Sequence, residues 1–141
     1  MQKKLFVAVV LFALLPAVFA QPAPKVTCDR ACLENYVDRY LDAMLAHKVS
    51  PDLFSKNCRF TENGVELPLG EDGLWYSMSG KGTYKFYVPD IETQQVAFIG
   101  TVKEGGAAPG AKPAPGAKPA VPTTVAVAIR LKIVNNLITA A

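Results

Sequence analysis

The sequence predicts an α+β domain in which one long N-terminal helix packs into a curved, cone-shaped antiparallel sheet, and three observations predict it. Apolar residues recur at helical spacing from Asp29 to about His47. An Asn-Gly pair, Asn63-Gly64, stands between two β-competent runs. Longer runs of strand character then follow, ending with a strictly alternating one from Thr124 to Val134.

The helix comes first. Leu33, Val37, Tyr40, Leu41 and Met44 fall on one face at 100° per residue, and Asn35, Asp38, Arg39, Asp42 and Ala46 fall on the other. Thr27 or Asp29 can cap its start, where Asp29 and Glu34 also suit the positive end of the helix dipole. Ser50-Pro51 opens a second, very short helix through Phe54, with serine as cap and proline in the first turn. Cys58-Arg59-Phe60-Thr61 and Val65-Glu66-Leu67 form a hairpin about Asn63-Gly64, whose residues accept positive φ. Pro68 and Gly70 end it, and Gly73-Leu74-Trp75 heads a bend that buries the only tryptophan.

Strands are expected at Thr83–Val88 and Val96–Val102, joined by a turn at Pro89-Asp90. In the Thr124–Val134 strand, Val125, Val127, Ile129, Leu131 and Ile133 share one face; Ala126, Ala128, Arg130 and Lys132 share the other. Asn135-Asn136 is a turn, after which Leu137-Ile138-Thr139 starts a further strand. Residues 105–122 break this order. The hexapeptide Pro109–Ala114 repeats at once as Pro115–Ala120. With nothing to bury, it reads as a disordered tether in a hairpin loop, where long insertions cost little.

Residues 1–20 read as a secretory signal. Lys3 and Lys4 precede an apolar run from Leu5 to Leu15, and Pro16 leads into Ala17-Val18-Phe19-Ala20 as the cleavage region. The run is too short for a membrane span, and no cysteine follows Ala20 to carry a lipid. The mature chain is therefore expected to be secreted or periplasmic, with no membrane contact after cleavage. It has an extended leader at 21–27 and one domain at 28–141.

Removing the signal leaves 121 residues, enough for one modest core. Setting aside Lys3 and Lys4 reduces the 15 basic side chains to 13 against 12 acidic ones, a net charge of +1. There is no basic stripe, so nucleic acid is a poor partner. The mean hydropathy of +0.19 owes much to the signal.

Three cysteines enter an oxidising compartment. Cys28 and Cys32 lie one helical turn apart, and a bridge between them is allowed by geometry but not forced. Pairing either with Cys58 stays open, and each arrangement leaves one thiol over. One histidine, His47, with scattered cysteines makes no zinc site. No nucleophile triad, phosphate loop or dinucleotide fingerprint is present, and no cofactor is implied.

The motifs Cys28-Asp29-Arg30-Ala31-Cys32-Leu33, Tyr40-Leu41-Asp42-Ala43, Phe60-Thr61-Glu62-Asn63-Gly64 and Gly73-Leu74-Trp75 carry a family resemblance. Gly82-Thr83-Tyr84, Gly100-Thr101-Val102 and Arg130-Leu131-Lys132 complete it. On these residues the chain resembles the SnoaL-like or ketosteroid-isomerase-like (nuclear-transport-factor-like) superfamily of α+β cones, and within it a secreted branch found in bacteria and fungi. The resemblance spans about 27–139, interrupted by the repeat loop. It implies the Cys28–Cys32 bridge, since both cysteines lie in the motif and Cys58 does not. It also implies a cavity at the open end of the cone, pairing of two copies through the open sheet face, and a last strand continuing past Thr139. The sequence stops at Ala141, so the expectation is a shortened final strand, an exposed edge and a less stable domain.

In cone-fold enzymes one carboxylate or histidine acts as general base in an apolar pocket, with a donor facing the developing oxyanion. Asp38 and Asp42 are expected on the solvated helix face. Tyr36, Tyr40 and His47 fall on one stripe beside the apolar face, where two phenols and an imidazole can meet at a cavity mouth or simply flank a helix–sheet seam. Glu62, Glu66, Glu71 and Asp72 read as solvated turn residues. Trp75, Tyr84, Phe86 and Phe98 are the candidates to line a ligand pocket, in competition with plain core packing. The leading reading is a domain that binds a small, mainly apolar ligand. The alternatives are a lyase, isomerase or cyclase with His47 as base and Tyr36 or Tyr40 as donor, and a homodimeric interaction module.

Overall fold

In the computed structural model, which describes residues 27–105 and 121–141, Asp29 starts the helix. Its carboxylate accepts the Cys32 N–H at 2.8 Å, and α1 runs Arg30–Leu45. The expected signal segment, the leader up to residue 26 and the repeat at 106–120 lie outside the described residues. Leu33, Tyr36, Val37, Tyr40, Leu41 and Met44 are buried, so the apolar stripe is the packed face.

Strands β1 (Phe54–Arg59), β2 (Thr61–Glu62) and β3 (Val65–Glu66) follow, and the four-residue helix α2 (Leu74–Ser77) leads into β4 (Met78–Asp90). Then come β5 (Gln95–Glu104), β6 (Thr123–Val134) and β7 (Leu137–Ala140). The main sheet has the order β1-β7-β6-β5-β4. It is antiparallel except where β1 runs parallel to β7, and β2 and β3 form a separate hairpin. Helix and open, mostly antiparallel sheet make this an α+β fold.

The Asn-Gly hairpin is present, with φ of 50° at Asn63 and 81° at Gly64. Asn135 and Asn136, with φ of 51° and 62°, turn β6 into β7 in the same way. Gly82 is required for another reason: a Cβ there would collide with the backbone of Thr101, where β4 and β5 slip register.

One expectation is corrected. Ser50–Phe54 is a single turn rather than a helix. The Ser50 carbonyl accepts the N–H groups of Leu53 and Phe54, and Phe54 is at once drawn into β1 opposite Ile138. Asp38 and Asp42 keep the expected surface position, and β4 adds ion-pair partners beside them. Lys85 Nζ lies 2.7 Å from Asp38 Oδ1, the Tyr87 hydroxyl donates to the same oxygen at 2.9 Å, and Lys81 pairs with Asp42.

The inner face of the sheet carries Val96, Phe98 and Val102 on β5 and Leu131 and Ile133 on β6, all buried against α1, Phe54 and Trp75. Cys28 and Cys32 stand at disulfide distance, with Cα atoms 5.2 Å apart, and Cys58 is free. Gln94 brackets this end of the helix. Its Oε1 accepts the Cys28 N–H at 2.6 Å and its Nε2 donates to the Cys28 carbonyl at 2.9 Å.

Partial burial works against ionisation of Asp38, but hydrogen bonds from Lys85 and Tyr87 outweigh it and hold the carboxyl below its ordinary value. A depressed carboxyl stabilises the fold above its unfolded pKa, and that contribution is lost as pH falls through the folded value. Asp38→Asn should therefore lower stability at neutral pH by less than about 1 kcal/mol, as befits a half-exposed pair. The difference from the parent should close as pH drops below the ordinary 3.8, read from urea unfolding across pH.

Candidate functional site

Trp75 organises one end of the domain. Gly73, at φ 60°, lets the chain turn sharply into α2, and the indole enters the core with no exposed surface. It stands edge-on to Tyr40 at 5.5 Å between ring centroids and to Phe54 at 5.7 Å. Its Nε1–H donates to the Tyr40 hydroxyl at 3.1 Å. Its carbonyl receives the His47 ring through Nδ1.

Beside this cluster lies a cavity of about 460 Å³. Tyr40 and Met44 of α1, Phe60 and Leu74 supply apolar surface. Thr61, Glu62 and Asn63 of the hairpin form one wall, and β6 from Val125 to Arg130 forms the opposite one. Glu104 and Ala141 lie at its margins. Glu62 is held there because its Oε2 accepts the Leu74 N–H at 2.9 Å, which fastens the hairpin to the start of α2.

Two ionisable groups at this end are held neutral. Burial raises Tyr40 well above the usual phenol range, with Cys58 and Glu62 adding to the rise and the Trp75 hydrogen bond opposing it. Burial also pushes the Cys58 thiol up to about 11, which leaves it protonated and a poor nucleophile at neutral pH. Among the described residues no acceptor takes the Tyr40 hydroxyl proton. The cavity therefore offers a neutral donor, a carboxylate at Glu62 and apolar walls, a set suited to a small ligand carrying one polar group.

Tyr36, Tyr40 and His47 do not meet. Successive turns of α1 send them to different neighbours. The Tyr36 hydroxyl donates to the Asn136 carbonyl at 2.7 Å in the β6–β7 turn, while His47, exposed and at φ 49°, closes the helix against Trp75. Of the three, only Tyr40 lines the cavity. Of the aromatic candidates, Trp75 and Phe98 are buried core residues outside the cavity lining. Tyr84 and Phe86 stand on the outer sheet face, 56% and 52% exposed, because strand alternation sends Lys85 and Tyr87 inward to Asp38. Glu62 is the lining residue that sequence reasoning set aside as a turn carboxylate. Its partner, the Leu74 N–H, is twelve positions away and leaves no local signal.

No family model, curated protein or solved structure matches this chain. Among the described residues no group of three or more His, Cys, Asp or Glu side chains is placed to hold a metal ion, and no helix is long and apolar enough to cross a membrane.

Tyr40→Phe keeps the ring and its packing but leaves the buried Trp75 N–H without an acceptor. It should cost about 1–3 kcal/mol in urea unfolding, the penalty for a stranded buried donor.

Proposed function

We propose that this is a secreted or periplasmic domain that binds a small, mainly apolar ligand in the cavity beside Tyr40. The observation that carries the reading is the Tyr40 hydroxyl, buried, neutral and with its proton uncommitted, at the wall of a cavity large enough for a small molecule. The motifs that resemble the SnoaL-like cones agree with it, since a cavity closed by helix and sheet is what such a cone provides. The catalytic alternative is weaker, because His47, the base it needs, is not among the cavity's lining residues.

A melt of residues 21–141 against a panel of small apolar compounds tests this. A ligand that binds only the folded state raises the midpoint. Ligands with a carbonyl acceptor should raise it by several degrees, and Tyr40→Phe should reduce that gain while sparing the shift from a pure hydrocarbon of similar size. A panel that moves neither midpoint would refute the reading.

A second reading, pairing of two copies through the outer sheet face, is favoured by a separate observation. Tyr84, Phe86 and Val88 of β4 and Ile99 of β5 form one apolar patch there, each about half exposed, with Ala126 and Ala128 of β6 continuing it. Sedimentation should then show a dimer that Phe86→Asp converts to a folded monomer. A parent chain that stays monomeric at high concentration sinks this second reading.

A further inference from the structure

The Asn63-Gly64 turn has a chemical property besides its geometry. The backbone nitrogen that follows an asparagine can attack the asparagine side chain, and glycine, having no Cβ, obstructs that approach least. Asn63 and Gly64 are both exposed, and a Cβ at Gly64 would meet no atom within 4 Å. The turn is held by strands of two residues each, through the register pairs Thr61↔Glu66 and Glu62↔Val65. So short a hairpin opens at little cost. Opening lets the Asn63 backbone rotate until its side-chain carbonyl carbon meets the Gly64 nitrogen.

The other four asparagines lack this combination. Asn35 lies inside α1 before Tyr36, and Asn57 lies inside β1 before Cys58. Asn135 and Asn136 form a turn, but each precedes a residue with a Cβ. The Asn136 carbonyl also receives the Tyr36 hydroxyl at 2.7 Å, and Leu137 is paired with Val134. Asp72-Gly73 is the nearest relative, with the Gly73 N–H donating to Asp72 Oδ1 at 2.7 Å. A carboxylate is a poorer electrophile than an amide, so that pair reacts more slowly.

We propose that Asn63 is a modification site, converting without an enzyme to isoaspartate through a cyclic imide, and that the conversion unfastens the β2–β3 hairpin from α2. The Gly64 nitrogen gives its proton to water and bonds to Asn63 Cγ. The Cγ–Nδ2 bond breaks, and Nδ2 leaves as ammonia. One water then opens the imide. Cleavage at Cγ returns an ordinary aspartate; cleavage at the Asn63 backbone carbonyl leaves the main chain running through Cβ and Cγ. Water is the only co-reactant. The iso product adds one methylene to the main chain between residues held at φ 50° and 81°, and a two-residue loop no longer fits the Glu62↔Val65 pair. Glu62 is the next residue back. Its Oε2 accepts the Leu74 N–H at 2.9 Å, and its carboxylate fills the place a Cβ on Gly73 would take. Displacing Glu62 therefore releases the start of α2, whatever the cavity binds.

Protein purified from expression of the full sequence is held in mildly alkaline buffer, and samples are digested at intervals for mass spectrometry. The peptide holding Asn63 should turn from amide to acid about tenfold or more faster than those holding Asn57 or Asn136, because only Asn63 precedes glycine. Its product should accept a methyl group from an isoaspartate methyltransferase. The iso form is then separated by ion exchange. Its Leu74 amide should exchange hydrogen about tenfold or more faster than in the parent, since a freed amide loses protection. Asn63→Asp adds the same charge with an unaltered main chain and should stay within about twofold of the parent.

Conversion of Asn63 no faster than that of Asn57 or Asn136, or isoaspartate at Asp72 alone, overturns the inference on the parent chain without any variant. An unchanged Leu74 amide in the iso form also overturns it. Equal acceleration in Asn63→Asp assigns the effect to charge and overturns the main-chain step.

Discussion

The Trp75 contacts are the constraint on which this end of the molecule depends. One side chain and its own carbonyl join three elements: the indole packs between Tyr40 of α1 and Phe54 of β1, its N–H fixes the Tyr40 hydroxyl, and the carbonyl receives His47 where α1 ends. A tryptophan with no exposed surface must satisfy its N–H inside the protein. Here the acceptor is a phenol that keeps a proton of its own. Packing and polarity of the cavity wall are thus set together, and Glu62 completes the arrangement by binding the hairpin to Leu74, the residue before the tryptophan.

The cavity and the unpaired edge of β6 are one feature seen from two directions. Where β7 is present, the inward side chains of β6 are buried and its backbone is paired; where β7 is absent, Val125, Val127 and Ile129 lose cover and the neighbouring N–H and C=O groups turn to solvent. Soluble proteins protect such edges, since a row of free donors and acceptors is a template for another strand. Arg130, Glu62 and the hairpin provide charge and cover beside this one without pairing it.

Much of this was legible in the sequence, and the remainder was not for definable reasons. The stripe of Leu33, Val37, Tyr40, Leu41 and Met44 is a local, periodic signal, and all five residues are buried. Asn63-Gly64 and Asn135-Asn136 are turn chemistry, which acts through φ and needs no distant partner. The alternation in β6 likewise gave its two faces. What stayed hidden depends on contacts far apart in sequence. The Ser50–Phe54 turn yields to β1 because Phe54 finds Ile138. Asp38 stays at the surface, but its partner Lys85 arrives from β4, 47 positions away. Periodicity places Tyr36, Tyr40 and His47 on one stripe but says nothing about what stands above each of them; the Asn136 carbonyl, the Trp75 indole N–H and the Trp75 backbone carbonyl separate their fates.

The two ends of the domain are held differently, and this bears on where a ligand can enter. At one end, Cys28 and Cys32 stand at bonding distance, Gln94 grips Cys28 through both of its amide atoms, and Tyr36 reaches the β6–β7 turn. These bonds tie the start of α1 to the β4–β5 and β6–β7 turns. At the other end α1 finishes against Trp75, and the hairpin meets α2 through the Glu62 carboxylate. A site that admits a ligand needs some backbone and apolar surface left uncovered, which costs stability locally. The structure places that uncovered surface at the Trp75 end, where part of the β6 edge is unpaired, while Gln94 and Tyr36 tie helix to sheet at the other end. Ligand contacts beside Tyr40 would therefore cover Val125, Val127 and Ile129, which β7 leaves half-buried, without disturbing the Gln94 and Tyr36 bonds at the other end.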